Sequence, residues 1–161
     1  MAAVRFAHVG NYWYFCRRNI THTTHDMLDK KLRRQLADIA PAAARYDKPY
    51  FDHSIIGVTD TGRLVYHYDK MIDEYMEDEH DNLSSMTTEE IDQAAMDAME
   101  WIDYNTIRST PYAGTNAPII VAPDVTSAHD NDYVNMITGE RISSDEWTLL
   151  DDLLKEKSDE R

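Results

Sequence analysis

The sequence predicts an α+β domain in which a small antiparallel sheet packs against about four amphipathic helices. The length of 161 residues suits one domain, and 42% hydrophobic with 29% charged residues is a globular composition. Segments 53–58 and 63–68 have strand composition and flank a tight turn that ends in Gly62. Four other segments repeat apolar residues at helical spacing. We expect one domain over residues 1–161, with a frayed end at 156–161.

Two further strands are expected to join the hairpin 53–68. Residues 11–16 are rich in aromatic side chains, a composition typical of strands. Residues 118–122 are apolar, begin with Pro118 and are followed by Pro123, which favours a short strand at a sheet edge. A weak hairpin is expected around Thr138-Gly139.

The first two predicted helices differ in charge. Thr24 is the expected N-cap of a helix whose apolar face carries leucines every fourth residue and which ends before Pro41. Asp69 is the expected N-cap of a helix that runs to about Glu79, with acidic residues on its outer side.

Capping boxes predict the starts of the last two helices. Thr87 and Glu90 have the spacing of one such box, and the helix that follows should end near Arg108. Ser143 and Glu146 have the same spacing, and Trp147 is expected to begin the apolar stripe of the final helix.

The negative charge is concentrated in the middle of the chain. The net charge is −14, and residues 69–104 hold one basic residue against thirteen acidic ones, a net −12. Residues 1–68 carry a net +4, so direct binding to nucleic acid is disfavoured except at a local basic patch. That patch would contain Arg17, Arg18, Lys30, Lys31, Arg33 and Arg34.

The acidic residues of the second and third helices form a candidate partner-binding surface. Carboxylates three and four positions apart lie about 5–6 Å apart along a helix and can resemble a row of phosphates. A basic surface on another protein would be the complementary partner. The candidate residues are Asp73, Glu74, Glu77, Asp78, Asp81, Asp92, Asp97, Glu100 and Asp103.

Other chemistries have weaker support in the sequence. Histidine lies beside aspartate in four pairs, which makes a small metal-dependent enzyme an alternative, although no helix carries a His-x-x-x-His pair. The pairs are His25-Asp26, His80-Asp81, His129-Asp130 and, in reverse order, Asp52-His53, and His22 lies three positions before His25. Cys16 stands in an aromatic run and is expected to be a buried hydrophobe rather than a nucleophile. A third interpretation is a homo-oligomer that uses residues 11–15 as its interface. We predict no catalytic residue, cofactor or metal ligand.

The sequence also predicts a cytoplasmic location. No run approaches the length of about 20 apolar residues that a membrane helix needs, and residues 1–10 lack the features of a secretory signal. With Cys16 as the single cysteine, no disulfide can form within the chain.

Parts of the chain resemble a family of small uncharacterised proteins from bacteria and their phages. The resemblance rests on segments 50–58, 62–66, 100–108 and 117–121, which read YFDHSIIGV, GRLVY, EWIDYNTIR and APIIV. It implies a compact unit of hairpin, helix and strand and assigns no catalytic residue. In general character the chain is also similar to acidic anti-CRISPR and anti-restriction inhibitors. We therefore expect a non-enzymatic acidic binding protein that occupies a basic, nucleic-acid-binding surface of a host defence enzyme.

Overall fold

The structure, a computed structural model, describes residues 6–9, 12–15, 22–129 and 132–159, with side chains from residue 30 onward except that of Ser158. The predicted α+β class is confirmed. In chain order the elements of the described residues are β1 (Phe6–Val9), β2 (Tyr12–Phe15), α1 (His22–Ile39), β3 (Ile55–Thr59), β4 (Leu64–His67), α2 (Tyr68–Glu79), α3 (Thr88–Ile102), β5 (Ile119–Pro123), β6 (Asp132–Asn135), β7 (Arg141–Ser143), β8 (Trp147–Leu149) and α4 (Leu150–Asp159).

The main sheet is mixed, whereas a small antiparallel sheet was expected. Its strand order is β7-β6-β5-β4-β3-β8. The predicted hairpin is present as β3 and β4, and Gly62 takes the positive φ of 77° that its turn requires. However, β4 and β5 are parallel. The chain returns from β4 to β5 through α2 and α3, and such a crossover brings the second strand back in the same direction.

Strand β5 lies inside the sheet and not at its edge. It pairs with β4 on one side and β6 on the other. Pro118 precedes the strand and Pro123 is its last residue, so the residues between them keep the backbone N–H groups that hydrogen-bond to the neighbouring strands. The hairpin expected around Gly139 is present as β6 and β7.

The strand predicted at 11–16 does not join the main sheet. It is β2, which pairs with β1 in a separate two-stranded sheet. Only two residues separate β1 from β2 in the sequence, and local closure of a hairpin costs the least chain entropy. Cys16 and the basic pair Arg17 and Arg18 lie outside the described residues.

Two helices begin elsewhere than predicted. Helix α1 starts at His22, two residues before the expected Thr24 cap. Helix α2 starts at Tyr68 directly after β4, with His67 at the cap position and Asp69 in its first turn. The capping box of Thr87 and Glu90 is confirmed at the start of α3. A π-helical segment, Asp103–Ile107, extends α3 almost to the predicted end at Arg108.

The capping box of Ser143 and Glu146 is also present, but it opens a 3₁₀ turn. Trp147 then belongs to β8, and the final helix begins at Leu150, so the expectation that Trp147 lies on that helix is wrong. The turn joins β7 and β8, the two edges of the sheet, through three residues. A link of that length spans at most about 14 Å, so the sheet must curl.

The curled sheet separates two apolar clusters. The larger one lies between the sheet and the helices and includes Leu36, Phe51, Tyr66, Met71 and Ile120. The smaller one lies on the other face and contains Val65, Ile119, Val121 and Trp147. Gly57 permits the second packing, because a Cβ there would stand 2.6 Å from the Thr148 carbonyl oxygen and would clash with the Trp147 ring.

A buried ion pair attaches α1 to the rest of the domain. The Arg33 Nε donates to Asp52 Oδ2 at 2.8 Å, and the Asp52 side chain is only 1% exposed. Tyr46 lies next to Tyr66 with ring centroids 4.9 Å apart, and its hydroxyl is 2.6 Å from Thr110 Oγ1. These contacts hold the segment between α1 and β3 in place.

Candidate protein-binding surface

The nine acidic candidate residues do not share one environment. Asp78, Asp81, Asp97, Glu100 and Asp103 are exposed, as predicted. The other four are half-buried, and for the three on α2 the reason is that this helix contacts both α3 and the 3₁₀ turn Pro49–Ser54 and so leaves less of its circumference in solvent. Those four are Asp73, Glu74, Glu77 and Asp92. The expectation that the whole row faces water holds for the first five only.

Asp73 differs most from its expected role as a surface charge. Its Oδ1 is buried and has no hydrogen-bond partner. Burial, followed by repulsion from Glu77 and Asp69, raises the pKa of Asp73 from 3.8 to about 8. The carboxyl is therefore mostly protonated at pH 7, and it contributes little to the negative field of the surface.

Helices α2 and α3 meet over a group of aromatic rings. Tyr75 of α2 lies 5.0 Å from Trp101 of α3, measured between ring centroids. Tyr50 and Phe51 lie in the 3₁₀ turn that precedes β3. The Phe51 ring centroid is 6.4 Å from that of Trp101 and 4.7 Å from that of Tyr50. We call Tyr50, Phe51, Tyr75 and Trp101 the aromatic cluster.

A lysine ammonium lies over this cluster. The Nζ of Lys48 is 5.5 Å from the Trp101 ring centroid and 5.8 Å from the Tyr50 centroid, within the range of cation–π attraction. Lys48 precedes Pro49, which keeps its backbone extended at φ −76° and ψ 111°. Among the described ion pairs, none includes Lys48.

Carboxylates from both helices lie near the tyrosine hydroxyls of the cluster. Burial and then the charges of Glu79, Asp97 and Asp78 raise the pKa of the Tyr75 hydroxyl. Burial also raises the pKa of Tyr50, with further contributions from Asp78 and Glu79. We call Asp78, Glu79 and Asp97 the acidic rim.

The rim brings together residues that are distant in sequence. Asp78 and Glu79 lie in the last turn of α2, and Asp97 lies in the middle of α3. Asp97 is oriented by Gln93, whose Nε2 donates to Asp97 Oδ1 at 2.7 Å. Glu79 was not among the predicted site residues, although its position beside Asp78 is a signal that could have included it.

The remaining exposed candidates lie along α3 and in the loop after α2. Asp103 accepts a hydrogen bond of 2.9 Å from the Tyr68 hydroxyl, which ties the π-helical segment to α2. Met96, Glu100 and Tyr104 follow one another at four-residue spacing, and Met96 and Tyr104 are 63% and 65% exposed. The acidic face of α3 therefore also presents large apolar side chains.

The histidine and aspartate pairs do not converge in the part of the chain that the structure describes. There, no group of three or more His, Cys, Asp and Glu side chains is placed to hold a metal ion. In the Asp52-His53 pair, the Asp52 carboxylate is buried and forms an ion pair with Arg33. The side chains of His22 and of the His25-Asp26 pair, and all of Asp130, lie outside the described residues.

His67 was not predicted as a special residue. It is half-buried, its ring centroid lies 6.1 Å from that of Tyr133, which packs against the smaller apolar cluster, and its Nδ1 has no hydrogen-bond partner. Burial, with a smaller effect from Lys70, lowers the pKa of His67 from 6.5 to about 4. The imidazole is therefore neutral at physiological pH.

Comparison with known protein families, curated proteins and solved structures finds no match to this chain. The resemblance to small bacterial and phage proteins stays a prediction. Within the described residues, every helix is too short or too polar to cross a lipid bilayer.

Proposed function

We propose that this chain is a non-enzymatic binding protein that uses α2 and α3 to engage a basic surface of a partner protein in the cytoplasm. The observation that carries the proposal is the packing of Tyr75 of α2 against Trp101 of α3, two partly exposed rings, with exposed acidic residues of both helices near the Tyr75 hydroxyl. Carboxylates supply attraction over a distance, and aromatic rings supply contact area at low cost in side-chain entropy.

The composition of the surface suits a protein partner. Met and aromatic residues are enriched in protein interfaces, and Met96 and Tyr104 project beside Glu100. A net charge of −12 over residues 69–104 favours a strongly basic partner and disfavours nucleic acid.

The partner that fits this charge best is an enzyme that handles nucleic acid, because its phosphate-binding channel is a basic concave surface. Occupying that channel would block the enzyme by competition. The similarity in general character to acidic anti-CRISPR and anti-restriction inhibitors supports a host defence enzyme as the target, and a phage or another mobile element as the source of the chain.

The test is capture of partners from bacterial lysate at low salt, followed by elution at high salt and identification by mass spectrometry. The double variant Asp97→Lys/Glu100→Lys should lose the salt-sensitive partner, with affinity reduced at least about tenfold. The matched control is Asp151→Lys/Glu156→Lys, which changes the net charge equally on the exposed face of α4. Equal binding by both variants would refute a role for α3, and capture of only the chain itself would favour self-association.

A further inference from the structure

We propose that the aromatic cluster and acidic rim form a binding site for one lysine or arginine side chain of the partner, and that Lys48 occupies this site in the free protein. The identity of the partner rests on the function proposed above. The cation site itself is a property of this chain and can be tested without any partner.

The position of Lys48 shows that the cluster accepts a cation. Its ammonium lies over two ring faces, those of Tyr50 and Trp101, at 5.8 and 5.5 Å from their centroids. A third ring, Tyr75, packs against Trp101. Aromatic rings arranged around one point attract ammonium and guanidinium groups through their electron-rich faces.

An unpaired buried group gives independent support for a ligand. Tyr50 is 8% exposed, and its hydroxyl oxygen is buried without a hydrogen-bond partner. After burial, the charges of Asp78, Tyr75 and Glu79 raise the pKa of this hydroxyl, so it lies within electrostatic reach of the rim. A guanidinium or ammonium N–H that entered there could donate to the Tyr50 oxygen, which would remove an unfavourable buried group.

Lys48 satisfies only part of the site. Its ammonium lies over the rings but forms none of the described ion pairs, whereas the rim residues Asp78, Glu79 and Asp97 are exposed. A side chain that approaches from solvent can meet the rings and the rim together. Lys48 must then move away, because two cations cannot share the same ring faces.

The competition between Lys48 and an incoming cation predicts the effect of removing Lys48. The probe is an acetylated tetralysine peptide, with a tetraglutamine peptide as the uncharged control. Binding is followed through the NMR signal of the Trp101 indole N–H in the full-length protein. Lys48→Gln should bind tetralysine about fivefold more tightly than the unmodified protein, which is the effect of losing one exposed cation–π competitor.

The matched control is Lys70→Gln, because Lys70 is an exposed lysine of α2 and its loss changes the net charge equally. Its affinity should change less than twofold. In the Lys48→Gln background, Trp101→Leu and Tyr75→Leu should each reduce the affinity about fivefold. Binding to Trp101→Leu is measured by titration calorimetry, because this variant lacks the indole N–H. Tyr75→Leu keeps the test valid if Trp101→Leu does not fold, since either variant removes one ring of the cluster.

Equal affinities of Lys48→Gln and Lys70→Gln would overturn the proposal, as would a Trp101 signal that does not respond to tetralysine. If tetralysine binds as expected but α3 charge reversal leaves partner capture unchanged, the cation site stands and the proposed function fails. If partner capture depends on α3 while Lys48→Gln has no effect on tetralysine binding, the function stands and the cation site fails.

Discussion

Replacing Asp73 by asparagine should stabilise the protein at neutral and alkaline pH. The pKa of Asp73 is about 8 in the folded protein and 3.8 for the ordinary carboxyl. Between these values the folded state binds a proton that the unfolded state has released, so the free energy of unfolding falls as the pH rises. Asparagine resembles the protonated carboxyl and carries no such dependence.

The size of this effect follows from the pKa difference. One fully shifted group changes the free energy of unfolding by about 1.4 kcal/mol per pH unit. Over pH 5 to pH 8 the full change would be about 4 kcal/mol, and because Asp73 is only half-buried we discount this total by half for solvent screening, to about 2 kcal/mol. The free energy of unfolding of Asp73→Asn should therefore rise by about 2 kcal/mol relative to that of the unmodified protein between pH 5 and pH 8.

The assay is urea denaturation at pH 5, 6, 7 and 8, followed by circular dichroism. Effects of other titrating groups are common to both proteins and cancel in the difference. Asp151→Asn, an exposed change on α4, serves as the control, and its free energy of unfolding should change with pH in parallel with that of the unmodified protein. A constant difference between Asp73→Asn and the unmodified protein at all four pH values would refute the assignment of a raised pKa.

Three further predictions concern the fold. Arg33→Met should lower the free energy of unfolding in urea by about 3 kcal/mol, because it leaves the 1% exposed Asp52 charge unpaired. Asp52→Asn should lower it less, because Arg33 is 42% exposed and stays in contact with water. Equal losses in the two variants would contradict this reasoning. Gly57→Ala should lower stability by about 2 kcal/mol through its clash with Trp147, measured as a shift in the denaturation midpoint, and an unchanged midpoint would show that the strands can separate. The pKa of His67 is lowered, so as the pH falls from 6.5 towards 4 the unfolded state binds a proton before the folded state does, and the free energy of unfolding should fall. His67→Phe should reduce this dependence of the free energy of unfolding on pH.

The cation site would explain why a chain with such a negative centre keeps an isolated lysine beside it. The Lys48 ammonium lies over the Tyr50 and Trp101 rings, and the acidic residues Asp78 and Glu79 lie near the Tyr50 hydroxyl. With Lys48 in place, the rings are covered in the free protein. An incoming basic side chain replaces one cation–π contact by another and adds attraction to the rim, which favours cationic partners over neutral ones.

Local sequence signals determined much of the fold. The hairpin of β3 and β4 follows from the strand composition of two neighbouring segments and one glycine with positive φ, all within sixteen residues. Both capping boxes are present, because they depend only on residues three positions apart. The acidic character of α2 and α3 was also visible, since exposed positions on an amphipathic helix follow its period.

Tertiary structure alone decided the remainder. Trp147 follows a capping box, yet it belongs to a strand, because pairing with β3 and packing against Gly57 outweigh the local helix signal. Asp73 has the position of a surface acid, and only the contacts of α2 with its neighbours bury it. Lys48 and Trp101 are far apart in the chain, and no periodicity connects them. Residues within one element are related by its repeat, whereas contacts between elements depend on how the whole chain packs, and the candidate site consists of contacts of the second kind.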